Sequence, residues 1–283
     1  MTLDNTIEQA AKVLFNADAL LITAGAGLGV DSGLPDFRGD KGFWKDYPPT
    51  AKRGLSLIQM ANPQWFDRNP KLAWAFYNHL LNLYRNAIPH HGFLQLLEIA
   101  RSKKSGYFVL TSNVDGQFQK AGYDEEKIAE CHGSIHYLQC TTPCCRDIWA
   151  VQPLDIKIDE DAFEAIPPLP QCEQCGTIAR PNVLMFSDGT WNKDRTRKQL
   201  ERLWMFLNQQ QHQKSKLAIL EIGAGTSVVT IRLYSEQFAK KYNSTLIRIN
   251  PREYEVPNGQ IAIPLSGAEA IARLSDCLPP VIF

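Results

Sequence analysis

The sequence predicts an α/β fold in which a doubly wound parallel sheet carries one smaller inserted module. Apolar segments of strand length alternate with helical segments on both sides of the insert. Between residues 137 and 185 this alternation stops, and a stretch rich in proline and cysteine takes its place. In addition, several predicted strands run into glycine-rich or polar loops, which is where open parallel sheets bind their ligands.

Length and composition set broad limits on the function. A chain of 283 residues is long enough for one large domain, or for a domain with a smaller one inserted. Thirty basic and thirty acidic side chains cancel, so no overall charge attracts nucleic acid or an anionic membrane. No apolar run approaches the roughly 20 residues that span a bilayer, and the first residues lack a secretory signal. We therefore expect a cytoplasmic protein with reduced cysteines.

The first predicted strand leads into an unusual glycine-rich loop. The apolar spacing of residues 5–16 predicts a helix, and the apolar run 19–22 then enters a loop that extends to residue 39. Its glycines do not match Gly-x-Gly-x-x-Gly, because Val30 or Ser32 stands where the third glycine belongs. For the glycines alone, a plain tight turn stays open. The residues that follow favour a functional loop instead: Asp36, Phe37 and Arg38.

The other predicted elements follow from apolar periodicity and from proline and glycine boundaries. Helices are predicted at 55–61, 63–67, 70–87, 91–100, 117–121, about 230–242, and 267–277. Strands are predicted at 107–111, 128–131, 217–221, 244–249 and 260–264. The aromatic side chains of residues 70–87 are interpreted as core rather than as a cofactor site.

Four loops are expected to meet at one edge of the sheet, because parallel strands end on the same side. They comprise residues 24–39, 112–116, 131–134 and 223–227. The last of these offers backbone N–H groups and two hydroxyls suited to a phosphate. At the end of the next strand, Asn250 is placed to meet an adenosine ribose.

Three polar side chains in these loops are candidates for chemistry. Asn113 and Asp115 lie two residues apart in a strand-end loop, where they can orient a small polar group, although a self-satisfied turn stays equally open. His132 follows a strand and has the imidazole pKa that suits a general base. The remaining five histidines are interpreted as surface or packing residues.

Four cysteines have the spacing of a structural zinc site. Cys140 and Cys144 form one pair, and Cys172 and Cys175 form the second. Cys145 is the alternative to Cys144, and thiols without metal are the alternative to zinc. Four protein ligands leave no position for a catalytic water, so the metal is expected to be structural. The many acidic side chains nearby argue against nucleic acid as a partner of this module.

Taken together, these motifs resemble the sirtuins, the NAD-dependent protein-lysine deacylases. The resemblance covers nearly the whole chain and includes the four cysteines and residues 25–39, 111–116, 132–134, 180–186, 225–227 and 249–250. It implies a single catalytic domain with a Rossmann-like NAD-binding part of about residues 1–40, 85–136 and 186–283. A smaller part would combine a helical module at about 41–84 with the zinc module at about 137–185.

The resemblance also implies roles for individual residues. NAD would lie in the cleft between these two parts. Its adenosine and phosphates would be held by Ala24, Gly25, Ala26, Gly225, Thr226, Ser227 and Asn250. Its ribose and nicotinamide end would meet Asp36, Phe37, Arg38, Ser112, Asn113 and Asp115, with Asp115 taking the carboxamide. Asn113 would also take part in catalysis, and His132 would be the general base. The implied reaction moves an acyl group from lysine to ADP-ribose and releases nicotinamide and 2′-O-acyl-ADP-ribose.

Several positions depart from the usual sirtuin pattern. Gly29 replaces a serine, Ser112 a glutamine and Phe118 a histidine, while Ser187 and Asp188 replace Gly-Glu in the segment expected to pair with the substrate backbone. Sirtuins that prefer acidic acyl groups carry Tyr-x-x-Arg, whereas this chain has Leu80 three residues after Tyr77. We therefore expect neutral acyl groups. ADP-ribosyl transfer or NAD hydrolysis is the main alternative, and a non-catalytic nucleotide-binding module is the second.

Overall fold

The computed structural model describes residues 2–36, 54–152 and 156–279. Its largest sheet contains six strands, all parallel to their neighbours. These strands are β1 (Ala19–Ala24), β2 (Tyr107–Thr111), β3 (Ile128–Glu130), β9 (Leu217–Ile222), β10 (Thr245–Ile249) and β11 (Ile261–Ile263). Every residue of β1, β2 and β9 is buried, which explains why these strands are continuous apolar runs rather than alternating ones.

The strand order across this sheet is β11-β10-β9-β1-β2-β3. Along the chain these are the sixth, fifth, fourth, first, second and third strands of the sheet, which is the order of a Rossmann fold. The predicted fold class is therefore confirmed. The order reverses between β1 and β9, and such a reversal opens a ligand-binding crevice at the carboxyl ends of the two strands.

Helices cover both faces of the sheet. On one face, α1 (Leu3–Asn16), α5 (Gly92–Arg101) and α9 (Gly267–Asp276) pack on Leu20 and Ile22 of β1. On the other, α7 (Asp194–His212) and α8 (Thr230–Lys241) pack on Ala19 and Leu21. Successive residues of one strand thus enter two different cores, as pleated geometry requires.

A smaller unit has its own core. Its helices are α2 (Leu57–Met60), α3 (Trp65–Arg68) and α4 (Pro70–Asn86), and a three-stranded antiparallel sheet has the order β5-β4-β8. These strands are β4 (Gly133–Cys140), β5 (Ile148–Ala150) and β8 (Ala179–Val183), and a short hairpin adds β6 (Ile158–Asp159) and β7 (Glu164–Ala165). Trp74, Tyr77 and Leu80 of α4 pack against Ile135 and Leu138 of β4. The helical and cysteine-bearing segments therefore bury a common set of apolar side chains.

Most predicted elements are present, with ends that shift by one or two residues. The predicted start of α4 is confirmed: Pro70 is its first residue, and the Asn69 side chain caps it by accepting from the Leu72 N–H at 3.1 Å. The short helix α6 (Gln117–Lys120) follows the β2 loop. No helix among the described residues is long and apolar enough to cross a membrane. The cytoplasmic location stays a prediction.

Helix α7 and the strands β4 to β8 were not identified from the sequence. Helix α7 buries Leu203 and Leu207 and packs Leu200 beside them; these leucines have helical spacing, a signal that was present in the sequence but not used. Strand β4 begins directly after His132 and continues to Cys140, across the predicted start of the insert. Pro181 lies inside β8, where a proline is tolerated because β8 is an edge strand bonded only to β4.

Candidate active site

Two glycine loops interlock where the strand order reverses. The Gly25 N–H donates to the Ile222 carbonyl and the Gly27 N–H to the Gly223 carbonyl, each at 3.0 Å. A Cβ atom on Gly25 would lie 2.7 Å from the Gly223 oxygen, and one on Gly27 would lie 2.7 Å from the Gly223 Cα. These glycines are therefore required by contact between the loops, in addition to any contact with a nucleotide.

The first loop continues as two short 3₁₀ turns, Ala26–Leu28 and Val30–Ser32. Ala24 and Gly25 are buried and Ala26 is half-buried at the end of β1. At the far end of the loop, the Asp36 carboxylate pairs with Arg252 at 3.2 Å. Phe37 and Arg38 lie outside the described residues, so their predicted roles stay predictions.

The loop after β2 is tied to the first loop by side-chain hydrogen bonds. The Asn113 Nδ2 atom donates to the Gly25 carbonyl at 3.1 Å, and the Thr111 hydroxyl donates to the Ala24 carbonyl at 3.0 Å. The backbone N–H of the half-buried Ser112 also donates to the Ala24 carbonyl, at 3.1 Å. Asn113 thus lies beside the first glycine loop, as the sequence predicts.

Asp115 is a buried carboxyl group. Its Oδ1 atom accepts from the Gln117 N–H at 2.9 Å, and no ion pair to it is present within the described residues. Burial raises the pKa of Asp115 to about 6, although the hydrogen bond from the Gln117 N–H stabilises the carboxylate and acts in the opposite direction. A buried carboxylate without a cation suits a neutral donor such as a carboxamide, because that donor satisfies its oxygens without adding charge.

His132 lies in the turn between β3 and β4, close to the second glycine loop. Its Nε2 atom is 3.2 Å from the hydroxyl oxygen of Thr230, the first residue of α8. Burial lowers the pKa of His132, so its imidazole is neutral near pH 7 and able to accept a proton. Thr230 was not predicted, and its position three residues after Ser227 is the only signal for it in the sequence.

The residue after His132 must be glycine. Gly133 has a φ of 79°, and a Cβ atom there would lie 2.0 Å from the Asn182 carbonyl oxygen of β8. The β4–β8 pairing thus fixes the backbone that carries His132. From the other side, the Leu184 N–H donates to the His132 carbonyl at 2.9 Å.

The loop 223–227 meets a carboxylate that the sequence did not suggest. The Thr226 N–H donates to Glu253 Oε1 at 3.2 Å, and the Thr226 hydroxyl donates to the same oxygen. Gly225 is half-buried and Ser227 is exposed beside them. The negatively charged Glu253 thus occupies the Thr226 N–H, a donor that was predicted to bind phosphate. A phosphate at the Thr226 N–H would have to displace it.

Asn250 is fully buried and bonded to the backbone on both sides. Its Nδ2 atom donates to the Ala224 carbonyl at 2.9 Å, and its Oδ1 atom accepts from the N–H groups of Arg252 and Glu253, each at 3.0 Å. These bonds join the end of β10 to the second glycine loop. The geometry indicates that Asn250 positions this loop and Glu253.

Four cysteine sulfurs lie together at the end of β4. The Sγ atoms of Cys140, Cys144, Cys172 and Cys175 all lie within 4.8 Å of one another. The Cys140–Cys175 and Cys144–Cys172 distances are 3.5 and 3.6 Å. Zinc–sulfur bonds of about 2.3 Å in a tetrahedron place sulfurs about 3.8 Å apart, so this group fits a zinc ion. Cys145 is not a member of the group.

The segment after β8 connects the smaller unit to the candidate site. Arg180 binds Asp188 with two hydrogen bonds of 2.8 and 3.0 Å, and both side chains are buried. The Phe186 N–H donates to the Ala61 carbonyl at 2.9 Å. Between them, Ser187 adopts a left-handed backbone with a φ of 56°.

Comparison with known sequences identifies the family. A sequence model of the Sir2 family matches residues 25–209, which include the first glycine loop, Asn113, His132 and the four cysteines. The chain belongs to the Sir2 family. The sirtuin resemblance inferred from the motifs is therefore confirmed.

Relatives and solved structures agree with this assignment. An NAD-dependent protein deacylase of Leptospira interrogans is 31% identical over 229 residues, covering 81% of this chain and 79% of the relative. One from Pyrococcus abyssi is 28% identical over 279 residues, covering 98% of this chain and 96% of the relative. A solved Sir2 homologue mutant in complex with ADP-ribose has 26% identity and a TM-score of 0.69, covering 95% of this chain and 94% of that one. A second, in complex with 2′-O-acetyl-ADP-ribose, has 25% identity and a TM-score of 0.70 at the same coverage.

The structure gives physical reasons for two departures from the Sir2 pattern and leaves the third, Ser187, without one. A Cβ atom on Gly29 would lie 3.2 Å from Leu34, so the usual serine would press on that side chain. Phe118 is buried, with its ring 5.2 Å from Phe93 and 4.9 Å from Tyr123, which confirms a packing role. Ser187 has the left-handed backbone that the usual glycine adopts without strain.

Proposed function

We propose that this Sir2 protein is an NAD-dependent protein-lysine deacylase that transfers the acyl group to ADP-ribose. The observation that carries the proposal is that Asn113, His132 and the two glycine loops meet where the strand order reverses. A general base, an orienting amide and two loops with backbone donors are what an NAD-consuming acyl transfer needs. The deacylase names of the relatives in Leptospira and Pyrococcus support the same activity.

NAD would be held along the crevice between β1 and β9. We propose that the loops at residues 24–27 and 225–227 hold its phosphates and adenosine, with Asn250 positioning the second loop. Asp36, Phe37, Arg38 and Ser112 are proposed for the ribose and nicotinamide end, and Asp115 for the carboxamide. When bound, NAD supplies the ribose carbon from which nicotinamide leaves.

The roles of the protein side chains follow from their surroundings. Asn113 is fixed by its bond to the Gly25 carbonyl, so it can orient a polar group at the first loop without moving. His132 is neutral near pH 7 and takes a proton from a ribose hydroxyl, since burial keeps its pKa low. The Thr230 hydroxyl forms a hydrogen bond with Nε2 of His132 and so orients the ring. The ribose hydroxyl of the substrate would replace Thr230 as the partner of Nε2.

We propose that the four-cysteine group binds zinc and that the metal is structural. Four thiolates complete a tetrahedral shell, and no position is left for a reacting water. Cys140 is the last residue of β4, eight residues after His132, so the metal would hold the far end of the strand that begins beside the candidate base. The two-unit division suggested by the sequence also remains a proposal, which the separate cores support.

The proposed substrate is an acyl-lysine in an extended peptide, and the acyl group is neutral. Residues 184–188 lie beside His132, where a peptide strand could pair with the backbone. Leu80 is only 5% exposed and offers no charge to an acidic acyl group. Arg180 is a nearby cation, but both of its terminal nitrogens are bonded to Asp188 and its side chain is buried. Faster removal of succinyl than of acetyl from one peptide would contradict this preference.

One experiment separates the deacylase from the alternatives. The protein is incubated with NAD, with and without an acetyl-lysine peptide, and the products are identified by mass spectrometry. A deacylase releases nicotinamide and acyl-ADP-ribose only when the peptide is present. ADP-ribose without peptide would identify a hydrolase, ADP-ribosylated peptide a transferase, and no turnover a binding module.

A further inference from the structure

A large cavity lies where strands of the main sheet begin, at the opposite end of these strands from the candidate active site. It has a volume of about 690 Å³ and is bordered by the first residues of β9 and β10. The carboxyl-terminal ends of α1, α7 and α8 form its walls. We call it the lysine groove, because Lys12, Lys214, Lys216 and Lys241 line it and no acidic side chain does.

The lysines of the groove form no ion pair at contact distance within the described residues, although the carboxylate of the adjacent Asp18 attracts the Lys216 ammonium. All four lysines are exposed. The contacts of Asp18 are with Lys104, whose ammonium pairs with Oδ1 at 3.0 Å, and with the Lys216 backbone, whose N–H donates to Oδ2 at 2.9 Å. Lys241 lies over the rings of Trp204 and Tyr242, 5.0 and 5.1 Å from their centroids.

Helix dipoles do not account for all of this charge. Lysines often lie at helix carboxyl ends, where they offset the partial negative charge of the last carbonyls. Three such ends contribute roughly −1.5 elementary charges to the groove, against four positive side chains. A surplus of about 2.5 positive charges is left, in a protein whose overall formal charge is zero.

Backbone strain places one of these lysines in the groove. Lys214 has a φ of 52°, in the left-handed region just beyond the end of α7. Glycine is the usual residue at such a position, and any other L-residue costs roughly 1–2 kcal/mol there. The turn after α7 thus fixes the backbone from which the Lys214 side chain extends.

The groove wall also contains polar atoms without a partner. Gln210 is 2% exposed, and its Oε1 atom has no hydrogen bond from any described residue. The buried hydroxyl of Tyr242, which lines the same cavity, also has none. A buried polar atom left unpaired costs about 1–3 kcal/mol. Both atoms are closed off from solvent, so a molecule in the groove would reach them only if these two side chains moved.

We propose that the lysine groove binds a small molecule carrying two or more phosphoryl groups. The ammonium groups of the lining are compact point charges of the kind that bind phosphoryl groups. Its volume exceeds that of one phosphate and is in the range of sites for nucleotide-sized ligands.

The test measures binding by titration calorimetry with the active site kept saturated with ADP-ribose. Tripolyphosphate probes the phosphoryl groups alone, inositol hexakisphosphate adds a polyol, and a single-stranded oligonucleotide tests a polymer. The groove variant combines Lys12→Gln, Lys214→Gln and Lys216→Gln. A matched control makes the same charge change at three exposed lysines elsewhere: Lys71→Gln, Lys157→Gln and Lys198→Gln.

We expect saturable binding of one small polyphosphate by the unaltered protein. Each ammonium removed should weaken binding about fivefold, so the groove variant should bind about 100-fold more weakly. The control variant should lose less than about twofold, apart from general screening effects. Replacing the same three lysines by arginine should retain most of the affinity.

Three results would overturn the proposal: no saturable binding below about 1 mM, equal weakening in the groove and control variants, or tight binding of the oligonucleotide alone. Deacylation by the groove variant should be unchanged in the absence of polyphosphate. Because the two readouts are separate, loss of the proposed deacylase activity would leave this test intact.

Discussion

The Nε2 atom of His132 lies 3.2 Å from the hydroxyl oxygen of Thr230, which ties the candidate base to the second glycine loop. Replacing Thr230 by valine keeps the shape of the side chain and removes this bond. We expect kcat/KM for deacylation to fall about tenfold, the value of one hydrogen bond to a reacting group. Thr230→Ser should restore most of the activity, and the Kd for NAD should not change. Equal activities of the valine and serine variants would show that the hydroxyl is not used.

Removing the imidazole itself should have a larger effect. A positioned general base contributes about 10²–10⁴ in rate, so His132→Ala should lose deacylation while NAD still binds. Because burial lowers the pKa of His132 from 6.5, the acid limb of kcat/KM should have its midpoint below pH 6.5. A pH–rate profile of the free enzyme and NAD binding by the variant check both statements. Unchanged turnover in His132→Ala would remove this residue from the mechanism.

Asp115 predicts a pH dependence of stability. Its pKa is about 6 in the folded chain, against 3.8 for the free group, so its contribution to stability is greatest below pH 3.8 and is lost as pH rises through 6. Asp115→Asn removes the buried charge. It should raise the free energy of unfolding by up to about 3 kcal/mol at pH 8 and change it little at pH 4.

Urea unfolding at the two pH values measures this difference, with the exposed Asp276→Asn as the control. The control should change little at either pH. If Asp115→Asn destabilised the protein at pH 8, the carboxylate would have a favourable partner that the described residues do not include. The same variant should bind NAD more weakly, since the amide replaces an acceptor oxygen with a donor.

The cysteine group distinguishes two adjacent thiols. Cys144 belongs to the group of four sulfurs and Cys145 does not. Cys144→Ser should therefore lose bound zinc, whereas Cys145→Ser should keep one equivalent per chain, as measured by atomic emission. The serine oxygen is a poorer zinc ligand than a thiolate, and the change in volume is the same at both positions. Loss of zinc from the Cys145 variant alone would exchange the two assignments.

The contact between the glycine loops predicts a strong effect of a single methyl group. Gly27→Ala places that methyl 2.7 Å from the Gly223 Cα, so the loops must separate. We expect a loss of about 1–3 kcal/mol of stability and weaker NAD binding. Gly189→Ala is the matched control, because it also lacks a left-handed backbone and meets no atom within 4 Å. Similar melting temperatures for the two variants would contradict the packing role.

The parts of the fold predicted well are those that local sequence determines. Strands β1, β2 and β9 are fully buried, so each reads as an unbroken apolar run between polar boundaries. The loops at their ends, His132 and the cysteine pairs carry short motifs that a linear sequence displays. These signals were sufficient for the fold class, the family and most of the candidate site.

The parts that were missed depend on contacts between distant segments. Helix α7 buries Gln199 and Gln210, whose hydrogen-bond partners Glu130 and Ser105 lie in distant segments, although the leucines of α7 do have helical spacing. The carboxylate of Glu253 reaches Thr226 only because β10 and β9 are adjacent. Similarly, the requirement for glycine at residue 27 comes from Gly223, and no local pattern contains that information.

The interlocked glycine loops also bear on how the protein is made. Strand β1 pairs with β9, so the first loop reaches its final form only after most of the chain has left the ribosome. A nascent chain that ends before β9 would present Gly25 and Gly27 with no second loop to close on them. Nucleotide therefore cannot assist the early stages of folding, and the newly made protein must bury its central strand before its co-substrate can stabilise it.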